Sequence, residues 1–237
     1  MAHDRRRHPP GEALTRRSLG SLLLLVAGLI PGCVRRRVSL LRPDDSRFSA
    51  AAPDSFDVEM QTTKGALVVR VRRDWSPHGA DRFYALVRYN FYTDAAFHRT
   101  IRNFVAQFGI PADPMVAAAW NGRSIPDDPV RTSNQRGTVS FARGGANSRS
   151  TQLYFNLVDN ARLDTLNGFG FPPIGRVIQG VGVLDSLNWE YSGTRGGQTF
   201  PGPRQDSLRL QGNAYLKREF PRLDYIVRAR VIRKFGS

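Results

Sequence analysis

A single cysteine, Cys33, in 237 residues excludes a disulfide framework within the chain, and with only four histidines beside it little is left for a zinc site of the usual Cys/His type. Acidic residues are scarce too. Twenty Asp+Glu against 35 Lys+Arg give a formal charge of +15, which brings nucleic acid, lipid head groups and other polyanions forward as partners to test. The uncharged apolar stretch 18–30 has 13 residues, short of the ~20 that span a bilayer as a helix. The 22 glycines and 15 prolines carry no period, so collagen-like and repeat architectures find no support. With 41% hydrophobic residues the chain is not disordered throughout.

What is present begins with an address. Arg5-Arg6-Arg7 and Arg16-Arg17, the apolar stretch 18–30 and Pro31-Gly32 ahead of Cys33 supply the basic, apolar and small-residue regions of an export signal. Thr15-Arg16-Arg17-Ser18-Leu19 is similar to a twin-arginine signal, though Gly20 stands where a polar or basic residue is commoner, so the twin-arginine and general routes both stay open. Cys33 falls where a bacterial lipoprotein signal places its acylated cysteine; the alternative is a signal that is simply cut away. The expected organisation is an export signal over 1–32, a lipid anchor and linker over 33–54, and a folded domain over 55–234 with an insertion at about 193–221. The expected location is the cell envelope, lipid-anchored or periplasmic. Arg35-Arg36-Arg37 beside a lipid would add about 1 kcal/mol of attraction per charge to anionic head groups. It reads equally well as a solubilising run.

From Phe56 the pattern acquires period two: Phe56, Val58 and Met60 on one side, a turn over 62–65, then the apolar run 66–71, which predicts a β-hairpin. Ser76-Pro77 offers an N-cap and first-turn proline for a helix ending near Asn90, with Ala80, Phe83 and Val87 on one face. Strand-like runs follow at 96–99, 104–108, 137–142, 152–158, 174–178 and 225–232, with a short helical pattern at 181–187 and a small helix around 214–218. Many short strands with two main helices argue for a mainly β fold, a closed antiparallel barrel or a sandwich.

Phe97-His98-Arg99-Thr100-Ile101 with Phe104-Val105-Ala106-Gln107-Phe108-Gly109 resembles the signature strand pair of the cyclophilins, the peptidyl-prolyl cis-trans isomerases. Gly137-Thr138-Val139-Ser140-Phe141-Ala142-Arg143, Ser150-Thr151-Gln152-Leu153-Tyr154-Phe155-Asn156, Asn160-Ala161-Arg162-Leu163-Asp164 and Ile174-Gly175-Arg176-Val177 continue the resemblance in order. Five ordered segments are far more specific than one short motif. The resemblance implies a closed eight-stranded antiparallel barrel capped by two α-helices, with the site in a groove on its outer wall. It also implies a reaction that needs no nucleophile, metal or cofactor, and proline-containing polypeptides as substrates. A monomer is expected.

By the same resemblance Arg99 is the catalytic cation, against the blander reading of a surface arginine paired with a carboxylate. Gln107 orients it, and Phe104 completes the catalytic set. Phe104, Val105, Tyr154 and Leu163 form the socket for the proline ring, with Tyr154 in place of the usual phenylalanine and Val105 in place of methionine. Gln152 contacts substrate backbone, and the main chain of Ala142 and Arg143 anchors the residue before proline. His98 joins the binding set as a structural neighbour of Arg99, since the reaction moves no proton. Arg162 stands where cyclosporin-sensitive members carry tryptophan, which implies weak cyclosporin binding. Two other classes remain: a cyclophilin-like module that binds proline-containing segments without turnover, and a nucleic-acid binder suggested by charge alone, which lacks a recognition helix or stacking motif.

Overall fold

Alternation decides the first hairpin. In β1 (Ser55–Thr62) Phe56, Val58 and Met60 are fully buried, and across the ladder from them in β2 (Gly65–Arg72) stand Val71, Val69 and Leu67. The outward residues pair by charge, Arg70 Nε donating to Asp57 Oδ1 at 2.8 Å. Thr62 Oγ1 donates to the Gly65 carbonyl at 2.7 Å, and Gly65 turns at φ +123°, which favours glycine. The computed structural model describes residues 39–236.

The remaining strands are β3 (Ala95–Ala96), β4 (Arg99–Ile101), β5 (Val105–Phe108), β6 (Thr138–Phe141), β7 (Leu153–Asn156), β8 (Pro173–Gln179), β9 (Ser192–Arg195), β10 (Gln198–Pro201) and β11 (Tyr225–Phe235). The main sheet is antiparallel in the order β3-β11-β1-β2-β8-β6-β7-β5-β4. Its two edges, β3 and β4, are separated in the chain by Phe97 and His98 alone. One bent strand therefore pairs with β11 at one end and β5 at the other, and the sheet curls into the expected eight-stranded barrel. Its interior holds Phe56, Phe83, Phe97, Phe108, Phe141 and Phe155.

Helix α1 (Pro77–Arg88) starts where the Ser76-Pro77 signal places it and buries Ala80, Phe83 and Val87. Its cap is tertiary. Ser76 makes no side-chain cap bond; the backbone N–H groups of His78 and Gly79 instead donate to the Asp128 carboxylate at 3.2 and 3.0 Å. The second helix expected to close the barrel, at 181–187, is a 3-10 helix, Val181–Ser186. With Gly180 at its N-cap, Gly182 within it and no side-chain cap, a segment this short forms i→i+3 turns while Leu184 and Leu187 still fill the core.

Helix α2 (Pro114–Trp120) was not anticipated, although Asp113-Pro114 is a good start signal: Asp113 Oδ1 accepts the Met115 N–H at 2.8 Å. The insertion holds the β9–β10 hairpin and helices α3 (Gln205–Gln211) and α4 (Asn213–Glu219), the second of which agrees with the small helix expected at 214–218. Its apolar residues Leu208, Tyr215 and Leu216 build a second core with Ala96, Ile110 and Leu223, which fixes α3 and α4 on the barrel.

The stretch expected as a linker over 33–54 is, from Leu40 onward, folded onto the domain. The Trp120 indole N–H donates to the Leu40 carbonyl at 2.8 Å, Arg123 pairs with Asp44 at 2.6 Å, and Phe48 packs edge-on between Tyr89 and Trp120 at 5.1 and 5.0 Å. Phe48 and Leu40 supply apolar anchors that a free tether would not need. Cys33 and the expected export signal lie outside the described residues. No helix among the described residues is long and apolar enough to cross a membrane.

Candidate active site

Strand register assembles the site. Arg99 of β4 stands opposite Gln107 of β5, and Gln107 stands opposite Tyr154 of β7. Cross-strand partners share a face. The alternate residues Ala106, Phe108, Leu153 and Phe155 point into the barrel, so Arg99, Gln107, Tyr154, Val105 and Gln152 share the outer wall. Arg99 Nη1 donates to Gln107 Oε1 at 3.2 Å, Gln107 Nε2 donates to Gln152 Oε1 at 2.9 Å, and Gln152 Nε2 donates to Gln205 Oε1 at 3.2 Å. Each amide has its carbonyl on one side and its NH2 on the other, so the row has a direction and fixes Gln107 with its oxygen toward the guanidinium.

Arg99 differs from the ion-paired arginines of the barrel. Arg70 is paired with Asp57 and Arg73 with Asp81; among the described residues no carboxylate comes within ion-pair distance of Arg99. Partial burial is the cause that lowers its pKa from the ordinary value, and the group stays charged. A half-desolvated, unneutralised cation held by one amide oxygen is free to bond a new acceptor.

Beside it lies an apolar cluster separate from the barrel core: Val105, Tyr154 and Leu163, with Phe104, Ala142 and Phe171 packed on it. All four expected socket residues are brought together here. The hydroxyl that tyrosine adds does not enter the groove. Tyr154 Oη donates to Asn134 Oδ1 at 3.2 Å, and burial pushes the phenol pKa well up. Arg162 lies over the Phe104 ring at 4.6 Å, so a cation flanks the socket where the family resemblance expects tryptophan. His98 is buried beside Arg99, and burial pushes its pKa down to about 4, which keeps it neutral.

Arg143 does more than offer main chain. Its guanidinium is fully covered, 2.6 Å from Asp127 and 3.9 Å over the Phe169 ring, with Phe171 at 5.0 Å. Asp127 also faces Arg149, a fully buried arginine that bonds Asp128 at 2.9 Å, Ser76 and the Pro126 carbonyl. One buried ionic cluster thus ties the start of α1 to the two loops that flank the groove.

The sequence model of the cyclophilin type peptidyl-prolyl cis-trans isomerases matches residues 57–202, more than half of the chain. The chain belongs to the cyclophilin family. A peptidyl-prolyl cis-trans isomerase of Acinetobacter baylyi is 31% identical over 151 residues, covering 59% of this chain and 76% of that protein. Peptidyl-prolyl cis-trans isomerase B of Escherichia coli is 29% identical over 165 residues, covering 64% and 94%. A solved cyclophilin type isomerase of Cryptosporidium parvum superposes with a TM-score of 0.54 at 18% identity, over 76% of this chain and 99% of that one, and bears on the fold alone. The reaction of this cyclophilin is rotation about the bond preceding proline.

Several residues that shape this cyclophilin's groove escaped the sequence reading. Asn134 is fully buried and accepts bonds from Tyr154, Ser140 and Asn156 on its oxygen while its amide donates to Asp164 and to the Phe171 carbonyl. Burial works against the Asp164 carboxylate, yet bonds from Ser133 and Asn134 outweigh it and hold its pKa below the ordinary value. Phe171 is the sixth wall of the socket. Gln205 reaches the Arg99-Gln107-Gln152 row from the insertion. Asn134 carries no motif, because its role comes from a hub that exists only once β6, β7 and the 160–171 loop meet.

Proposed function

We propose that this cyclophilin is an exported isomerase, tethered to a membrane through Cys33, that accelerates X-Pro rotation in polypeptides outside the cytoplasm. The observation that carries the catalytic part is Arg99: an unpaired, partly buried guanidinium oriented by Gln107 beside an apolar socket. The export and anchoring part is supported by the basic, apolar and small-residue pattern of 1–33.

The chemistry follows from the amide. Rotation must overcome a barrier of about 18–20 kcal/mol set by C–N double-bond character. A proline ring seated on Val105, Tyr154 and Leu163 is held while the rest of the peptide turns. As the prolyl nitrogen pyramidalises, its lone pair leaves resonance and becomes an acceptor, and Arg99 donates to it. That bond exists only in the transition state, which is what lowers the barrier rather than merely tightening binding. A 10⁵-fold acceleration asks for about 7 kcal/mol, shared between this bond, positioning and exclusion of water around the socket.

Two measurements test the parts. With an Ala-Ala-Pro-Phe peptide, Arg99→Ala is expected to lower kcat/KM by about a hundredfold or more. No rate in the parent would leave the binding module as the reading. Intact-mass analysis of membrane-associated protein is expected to show cleavage before Cys33 and added acyl chains; an unmodified mature chain would remove the anchor.

A further inference from the structure

The insertion adds a wall to the groove. A cavity of about 470 Å³ opens next to the socket, sharing Ala142 with it, and Gln107 and Gln152 of the catalytic row lie along its inner side. Trp120 of α2 lines one side, and Gln205 and Arg209 of α3 line another. Gln205 and Arg209 are four residues apart, one turn on the same helix face, while Leu208 between them is locked into the second core. The family match ends at residue 202, before α3 begins at Gln205.

Charge at this cavity is of one sign. Among its lining residues the ionisable groups are Arg143 and Arg209, with no carboxylate. Arg143 is engaged by Asp127 and two rings. Arg209 Nη1 is paired at 3.1 Å with Asp206 of its own helix, whose side chain is 84% exposed, and its Nη2 donates to Gln205 Oε1 at 3.3 Å; the exposed ion pair contributes under about 1 kcal/mol and yields to a better partner. On the isomerase reading Arg99 would donate to the prolyl nitrogen. Ala142, whose main chain the family resemblance assigns to anchoring the residue before proline, borders both the socket and the cavity, so the residues before proline would extend toward α3.

We propose that Arg209 makes the cavity a selectivity site for an acidic side chain at the second position before proline, so that this enzyme prefers Glu-Xaa-Pro and Asp-Xaa-Pro segments over lysine or arginine counterparts. The proposal rests on the isomerase reading. Gln205 serves it by linking α3 to Gln152, so the wall and the catalytic row are held as one piece.

The test uses Glu-Ala-Pro-Phe, Ala-Ala-Pro-Phe and Lys-Ala-Pro-Phe peptides, with both kcat/KM and peptide Kd measured at low ionic strength. Attraction and repulsion at a partly exposed cation are each worth a few-fold, so the glutamate peptide is expected to exceed the lysine peptide by about tenfold. The ratio should shrink in 0.5 M salt. Arg209→Gln is expected to bring it near one and Arg209→Glu to invert it. Equal rates and affinities for the two charged peptides in the parent, or an unchanged ratio in Arg209→Gln, would overturn the selectivity. Absence of turnover on all three peptides would overturn the isomerase reading, and the Kd ratio would then decide the selectivity by itself.

Discussion

At the scale of single residues, the proposed chemistry depends on one cation being left unneutralised. Gln107 holds Arg99 through an oxygen that carries no charge. Gln107→Glu keeps the shape and the bond accepted from Arg99 but supplies a carboxylate and gives up the donor to Gln152 Oε1, and the ion pair formed would compete with the prolyl nitrogen. The expected outcome is a fall in kcat/KM of about ten- to a hundredfold with little change in the urea midpoint; an unchanged rate would show that neutralising Arg99 is harmless. His98 gives a second readout. Its folded pKa, lowered to about 4 by burial, lies below the ~6.5 of an exposed histidine. Between those values the unfolded chain binds a proton that the folded chain refuses. The stabilisation from keeping His98 neutral is thus complete above about pH 6.5 and is lost as pH falls toward 4, by about 3 kcal/mol in all. Denaturant midpoints between pH 7 and 4.5 should decline in the parent and flatten in His98→Gln. The carboxylates Asp128 and Asp164, whose pKa values lie below the ordinary one, add their loss only at lower pH, so the two windows separate.

At the scale of elements, α1 shows how far a local signal reaches. Ser76-Pro77 marked the start of the helix correctly, but its first N–H groups are satisfied by Asp128, fifty residues away, which is also bonded to buried Arg149. Asp128→Ala removes a cap and leaves a fully buried guanidinium short of a partner, and is expected to cost about 3–5 kcal/mol. Pairing it with Arg149→Met removes the stranded charge and should recover part of that loss. Equal midpoints for the single and double variants would show that the cap, not the ion pair, dominates. The element at 181–186 teaches the reverse case. Its apolar residues were placed correctly in the core, while its helix type was set by glycines and shortness. The barrel strands were legible because alternation is written residue by residue. Helix α3 was not, because only Leu208 of its seven residues is buried and its packing partners come from Ala96, Ile110 and Leu223, far apart in sequence.

At the scale of the whole molecule, the barrel closes through Phe97 and His98 and is strapped from outside by residues 40–53. Phe48 is the centre of that strap, wedged against Tyr89 and Trp120. Phe48→Ala is expected to cost about 3 kcal/mol and to change the emission of Trp120, which also lines the cavity; a midpoint within about 0.5 kcal/mol of the parent would show that the strap is not part of the fold. The sequence by itself determined the strand pattern of the barrel and, through the family resemblance, the identity of Arg99, Gln107 and Gln152 and the apolar character of the socket. These follow from a period of two and from motifs whose members are near neighbours in the chain. The tertiary structure alone decided that Tyr154 turns its hydroxyl away to Asn134, that Arg143 is locked under two aromatic rings, that a presumed linker is a strap, and that α3 brings Arg209 to the groove. Each of those depends on what a side chain meets across the fold, and hydrogen-bond satisfaction and packing between distant segments leave no periodic trace in the chain.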